Sequence, residues 1–314
     1  MMRWVRYKRT AFALVLALLM AAPWCAALSE DGDVDEVLYM ENEWNYVEGS
    51  MDISAGIPED AEGVLADIRE RGVLRVATEP YFPPQEFIDP SREGQDRYVG
   101  ADMEMARLIA ERMGVVLEIV PMDFSAVLDS VAGGECDLAI SALSFTPGRA
   151  ARVTMSKGYY YAEDNAGSGL LIREADDEAI RGVKDLDGRN IVAQSGSLQE
   201  ALMMGHVLNY REFRRLGSMQ EVYDFLAEGK ADAAMVDLGS ARDYLNNNPD
   251  SGLMLVPGVR FTQEERFQGD RVAARKGETQ LIAFVNGVID ELLASGQYMT
   301  WYGESVALAA RLGL

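Results

Sequence analysis

One stretch in each half of the chain carries a pattern that few folds accommodate. Phe124 to Asp137 reads FSAVLDSVAGGECD and Met219 to Asp232 reads MQEVYDFLAEGKAD, so that Val127, Asp129, Ala132, Gly134 and Asp137 match Val222, Asp224, Ala227, Gly229 and Asp232. Each stretch reads as a helix, a glycine stop and the entry to a buried strand. The identities fit either an internal repeat or convergence on a common helix-to-strand turn. Other segments extend the alternation. A helix from Gly63 to about Arg71 stops at Gly72 before the strand Val73 to Thr78. From Asp102 to Met113, Met103, Ala106, Ile109, Ala110 and Met113 fall on one helical face, and Gly114 precedes the strand Val115 to Val120. Helices alternating with short apolar strands predict an α/β protein built on mainly parallel sheets.

The first residues obey different rules. Arg3, Arg6, Lys8 and Arg9 precede the uncharged run Ala11 to Ala22, and small residues come next at Ala26 and Ala27. This is the layout of a secretory signal at residues 1–27, with cleavage expected after Ala27. The apolar run is too short for the ~20 residues of a membrane-spanning helix. Cys25 offers a second reading as a lipidated N-terminus, but Trp24 stands where a small residue is wanted before such a cysteine. A cleaved leader would leave Cys136 without a disulfide partner in an oxidising compartment.

The whole chain carries 29 basic and 51 acidic residues, a net charge of −22. The leader contains no acid, so its removal makes the remainder more acidic still. Such a surface argues against nucleic acid or anionic lipid as a partner. Residues 28–63 are acidic and lack periodicity, which predicts a mobile or loosely docked arm whose Trp44 and Tyr46 could pin it to the body.

In open parallel sheets, ligands bind beyond the carboxyl ends of the strands, so the residues just after each strand are the first candidates for a site. Glu79 and a proline-rich turn holding Phe82 come after Leu74 to Thr78. Ser141, Ser144, Thr146 and Arg149 come after Asp137 to Ile140; Ser195-Gly196-Ser197 after Asn190 to Gln194; Asp237 after Ala233 to Val236. The planar fork of Arg149 suits a carboxylate, although an isolated arginine is usually a surface residue. Ser197, ahead of a helix entering at Leu198, would aim N–H groups at an anion or simply cap that helix. Asp237 would need a cation if buried, either a ligand ammonium or a neighbouring arginine. Glu79 is a second acid of the same kind. Phe82 and Phe124 could cover a ligand from two sides, though aromatics at such places are more often core. His206 is the sole histidine and has no CxxC or HxxxH companion, so neither zinc nor a serine-histidine-acid triad is supported. No phosphate-loop or dinucleotide motif is present. No cofactor or metal is expected, and the residues offer grips rather than reactive groups.

At these residues, over roughly Val64 to Leu314, the chain resembles the polar amino-acid branch of the solute-binding proteins of ABC transporters (family 3). The resemblance rests on LRVATE at Leu74 to Glu79, YVGAD at Tyr98 to Asp102, GECDLA at Gly134 to Ala139, SFTPGR at Ser144 to Arg149, DGRNIVA at Asp187 to Ala193, GKADAA at Gly229 to Ala234, Asp237, and ARKG at Ala274 to Gly277. It implies a two-lobed periplasmic-binding-protein-like (type II) fold, each lobe a mainly parallel sheet flanked by helices and joined by a two-segment hinge. Lobe 1 would hold residues 64–160 plus 270–314 and lobe 2 residues 161–269. It also implies that Arg149, helped by Ser144 and Ser197, takes an α-carboxylate, that Asp237 takes the α-ammonium, that Phe82 and Phe124 flank the side chain, and that Glu79 meets its polar end. Ser141 joins this set. Ala142 and Leu198 depart from the family, standing where relatives carry hydroxyls. The implied partners are an L-amino acid with a polar or cationic side chain and the membrane permease of an ABC importer, for a periplasmic or extracellular monomer that is not an enzyme. The same fold also hosts prephenate and arogenate dehydratases and sensor ectodomains, which stand as alternatives.

Overall fold

The computed structural model describes residues 46–162, 167–264 and 267–314. The leader, Cys25, Trp44 and the arm up to residue 45 lie outside the described residues. Within them the fold opens with helix α1 (Gly63–Arg71), ended by Gly72 in the left-handed conformation, and strand β1 (Val73–Thr78). Next is a small antiparallel flap made of β2 (Tyr81–Phe82), β3 (Glu86–Ile88) and β4 (Tyr98–Val99). Then come α2 (Ala101–Met113), β5 (Val116–Pro121), α3 (Phe124–Gly133), β6 (Leu138–Ser144), the single turn α4 (Pro147–Ala150) and β7 (Val153–Met155). Gly100 enters α2 at φ 120°, and a Cβ there would lie 2.1 Å from the Gln85 carbonyl, so only glycine fits between flap and helix.

A second group of elements comprises β8 (Ser168–Arg173), β9 (Asn190–Gln194), α5 (Leu198–His206), β10 (Glu212–Leu216), α6 (Met219–Ala227), β11 (Ala233–Asp237), α7 (Leu238–Asn247) and β12 (Leu253–Leu255). The chain then returns to the first sheet as β13 (Asp270–Arg275) and ends in α8 (Thr279–Ser295) and α9 (Gln297–Leu312). The sheet orders are β5-β1-β6-β13-β7 and β10-β9-β11-β8-β12. In each, the first three strands are parallel and the fourth is antiparallel to the third. Two lobes with the same strand plan result.

Both faces of each sheet are covered, which explains the unbroken apolar strands. Leu74, Val76 and Ile140 pack beneath α1, α2 and α8, while Ala77, Ala139 and Leu143 pack against α3. In the second lobe Val192, Ala234 and Val236 face α6, and Ile191, Ala233 and Met235 face Met203 of α5. The paired motifs occupy equivalent places, α3 between β5 and β6 and α6 between β10 and β11. Their shared aspartates do the same task. Asp137 Oδ2 accepts the N–H of Arg75 (2.8 Å), and Asp232 Oδ2 accepts that of Asn190 (2.7 Å), each satisfying the neighbouring strand at its start.

Two segments cross between the lobes side by side. Tyr160 pairs with Asp270 and Ser168 with Phe261, both antiparallel, with N–H to carbonyl distances of 2.8–2.9 Å. Among the described residues no helix is long and apolar enough to cross a membrane.

Residues 46–62 depart from the mobile or loosely docked arm expected of them. Tyr46 bridges to Met155, and its ring lies 5.0 Å from the Arg271 guanidinium. Buried Asn286 of α8 donates Nδ2 to the carbonyls of Val47 (2.7 Å) and Gly49 (2.9 Å) and accepts the Lys157 N–H (3.0 Å). The docking combines backbone carbonyls, which composition does not record, with the Tyr46 ring and with Val47, Met51, Ile53 and Ile57 packed on the core. Asn286→Ala leaves three backbone groups without partners and is expected to cost about 2–4 kcal/mol. A fall in the urea midpoint together with faster amide exchange over residues 46–53 would bear this out; an unchanged midpoint would contradict it.

Candidate functional site

A cavity of about 190 Å³ lies between the lobes. This is below the volume usual for drug-sized ligands and suits a smaller molecule. The strand-end residues Thr146, Ser195 and Gly196 are not among its lining, whereas the ten residues expected to touch a ligand are: Glu79, Phe82, Phe124, Ser141, Ala142, Ser144 and Arg149 from the first lobe, and Ser197, Leu198 and Asp237 from the second. They converge because β1, β6, β9 and β11 all direct their carboxyl ends to the same place.

The second of these strands, β6, runs further than its sequence suggests, through Ser144. Its pairing with β13 shifts register between Arg271 and Ala273, and Ala142 takes a positive φ of 44°. The irregularity turns Ser141 and Ala142 out of the ladder toward the cavity. Ser141 Oγ donates to Glu86 Oε1 (2.9 Å) and accepts the Glu79 N–H (3.1 Å), while the Ala142 N–H goes to Asp102 Oδ2 (3.0 Å).

Arg149 is held by Thr146, whose Oγ1 accepts its N–H at 3.1 Å as the cap of α4. Its Nη1 donates to the Ser144 carbonyl (2.8 Å) and its Nη2 to the Gly196 carbonyl of the other lobe (3.2 Å), and its Cζ lies 5.5 Å from the Phe124 ring centre. Arg149 is 8% exposed and is the only cation lining the cavity among the described residues. Burial lowers its pKa to about 10, opposed by the charge of Asp270. Gly196 sits at φ 76° with its Cβ position 3.1 Å from Ser125 Cα, so the lobes meet there backbone to backbone. Ser197 caps α5, its Oγ accepting the Glu200 N–H at 3.0 Å, and the first-turn N–H groups of Leu198 and Gln199 have no intrahelical acceptor.

Asp237 ends β11 and caps α7, with Oδ1 accepting the N–H of Ser240 at 3.0 Å. Burial raises its pKa in spite of that bond. Glu79 is 1% exposed; its Oε2 accepts from Gln194 Nε2 (3.2 Å) across the lobes and its Oε1 has no partner. Burial, with Asp123 and Glu221 nearby, pushes its pKa up to about 8. Phe82 packs against the core of the second lobe, and the Phe124 N–H donates to the Gly217 carbonyl (3.1 Å), so the lobes are in contact along the cleft.

The sequence reading missed Asp270, Gln194, Tyr160, Asp243 and Tyr302, which also line the cavity. Gln194 ends β9 and was within reach of the strand-end rule. Asp270 was not. It begins a strand, and because β13 runs antiparallel its start lies beside the ends of its parallel neighbours.

The sequence and the fold are similar to those of known proteins. The sequence matches the bacterial extracellular solute-binding proteins, family 3, over residues 74–304. The chain belongs to this family. It is 26% identical over 250 residues to the L-cystine-binding protein TcyJ of Escherichia coli strain K12, covering 78% of this chain and 88% of that relative. The crystal structure of an amino acid ABC transporter substrate-binding protein, AbpA from Streptococcus pneumoniae, bound to L-arginine, superposes with a TM-score of 0.68 at 30% identity over 77% of this chain and 98% of that one. The ancestral amino-acid-binding protein AncCDT-1, a precursor of cyclohexadienyl dehydratase, superposes with a TM-score of 0.66 at 25% identity over 78% and 100%.

The raised pKa of Glu79 fixes a sign for stability. Unfolded, the carboxyl ionises near 4.5; folded, it keeps its proton to about 8, so its contribution is complete below the lower value and is lost as pH rises through the higher one. The ligand-free Glu79→Gln variant is therefore expected to melt above wild type at pH 8–9, with the gap closing toward pH 5. Parallel melting curves across that range would contradict the assignment.

Proposed function

We propose that this family 3 solute-binding protein captures a free L-amino acid with a polar or cationic side chain outside the cytoplasm and presents it to the permease of an ABC importer. The carrying observation is a buried arginine and a half-buried aspartate, one from each lobe, lining the same cavity without pairing to each other. In this reading the α-carboxylate lies on Arg149 with Ser144 and the first turn of α5 beyond Ser197. The α-ammonium lies on Asp237. Phe82 and Phe124 flank the side chain, and its polar end reaches Glu79 and Gln194. A cationic end would draw the proton from Glu79 and turn a buried neutral acid into half of an ion pair. The contacts between lobes support closure about the two crossing segments as the step that removes water from the ligand. The N-terminal secretory signal supports export, and Trp24 ahead of Cys25 supports release rather than lipid anchoring.

Titration calorimetry with the twenty L-amino acids is expected to reveal at least one that binds, and binding by none would refute the ligand class. Arg149→Ala and Asp237→Ala should each weaken that binding by about 3–5 kcal/mol, since each leaves a ligand charge buried and unpaired. Wild-type affinity in either variant would remove that residue from the site.

A second reading, a dehydratase of prephenate or arogenate, is favoured by one feature only: Glu79 holds a proton at neutral pH and could serve as a general acid. Incubation with both compounds is expected to yield no aromatic product; product lost in Glu79→Gln would favour the enzyme.

A further inference from the structure

The cavity contains more negative charge than a zwitterion and one arginine account for. Asp270 begins β13 in the first lobe, and its backbone is fixed at the crossing, where its N–H donates to the Tyr160 carbonyl and its carbonyl accepts the Tyr159 N–H, each at 2.9 Å. Its carboxylate lines the cavity, and among the described residues no side chain or backbone group donates to it. The charges that act on it are Asp102, Asp237 and Arg149. Asp102 is already satisfied by two tyrosine hydroxyls and a backbone N–H. Asp237 has the first turn of α7. Asp270 has neither, although burial and these acids raise its pKa well above that of an ordinary aspartate. It also stands apart from Glu79, whose neighbouring charges are Asp123 and Glu221, and so belongs to the Arg149 end of the cavity.

We infer that Asp270 is a second carboxylate for the ligand's α-ammonium, placed so that the amine is gripped by Asp237 from one lobe and by Asp270 from the other. The inference rests on the amino-acid reading above and extends it to selectivity. An ammonium has three N–H donors and can serve both acids at once. An α-keto or α-hydroxy acid of the same shape would reach Arg149 yet leave two half-buried carboxylates at the cavity wall without a cation, which a hydrogen-bonding site rejects strongly. Because Asp270 sits on the strand that returns between the lobes, the amine would also tie the crossing to the closed cleft. The carboxylate is uncompensated when the site is empty, so it should burden the ligand-free protein.

The test is Asp270→Asn, with circular dichroism to establish folding, and Asp270→Ser as a second variant should the amide not be accommodated. Wild type and variant are titrated with the twenty L-amino acids and melted without ligand. Every amino acid that wild type binds should lose roughly 10- to 100-fold in affinity irrespective of its side chain, because a charge-assisted bond to the common head group is replaced by a neutral one. The ligand-free variant should melt at or above wild type, an outcome a merely structural aspartate would not give. Undiminished affinity overturns the inference, as does a loss confined to L-lysine and L-arginine, which would place Asp270 at the side chain. If wild type binds none of the twenty, the amino-acid reading itself fails and this inference with it.

Discussion

Asp102 ties together parts of the chain that are far apart in sequence. Its Oδ1 accepts the Tyr298 hydroxyl at 2.7 Å, and its Oδ2 accepts both the Tyr159 hydroxyl at 2.7 Å and the Ala142 N–H at 3.0 Å. A single carboxylate thus joins the start of α2, the irregular end of β6, the first crossing segment and the last helix. It is fully buried, so each bond answers a desolvation cost that would otherwise be prohibitive. The tyrosines pack on one another, ring centres 5.2 Å apart, and Tyr160 stacks on Tyr302 at 4.7 Å, which carries the same order to the cavity wall. The shape of β6, and with it where Ser141, Ala142 and Ser144 point, depends on this junction.

The cavity obeys the opposite rule. Asp102 is buried and fully bonded, whereas Glu79 Oε1 and Gln85 Oε1, both of residues lining the cavity, are buried without partners. Such groups are rare in native interiors, and their place at the cavity wall agrees with the proposed site. The directions of the ionisations agree. The guanidinium of Arg149 is pulled down, and the carboxyls of Glu79, Glu86, Asp237 and Asp270 are pulled up, burial being the largest cause in each. Every one is displaced toward its neutral form, as expected of charges withdrawn from water.

Much of this could be read from residue order. The strand-end rule picked out Glu79, Arg149, Ser197 and Asp237 because β1, β6, β9 and β11 share a direction, and Ser197 caps α5 as its place before Leu198 suggests. Gly72 and Gly114 stop their helices in the left-handed conformation, as their positions after periodic segments require. Three things were not legible. The arm over residues 46–62 is docked through its carbonyls to Asn286, a residue whose place in a helix of apolar pattern gives no hint of its partners. The extension of β6 through Ser144 depends on a pairing with β13, more than a hundred residues later, and no local signal reports it. Asp270 fails the rule for a topological reason: the fourth strand of each sheet is antiparallel, so its beginning, not its end, faces the ligand side.

That reversal bears on Ala142, one of the two positions where the resemblance leads to a hydroxyl being expected. Ala142 offers none, and its N–H is already committed to Asp102. It lies on β6, and Asp270 pairs across to Ser144 of the same strand at the site's edge. A carboxylate therefore enters from the adjacent antiparallel strand close to where Ala142 offers no hydroxyl. This raises the negative charge at the head-group end, and only a cation can discharge it once the lobes have met. On the inference that Asp270 meets the amine, closure would be coupled to the amine and not to the carboxylate alone, since Arg149 already has carbonyl partners in both lobes whereas Asp270 has none among the described residues.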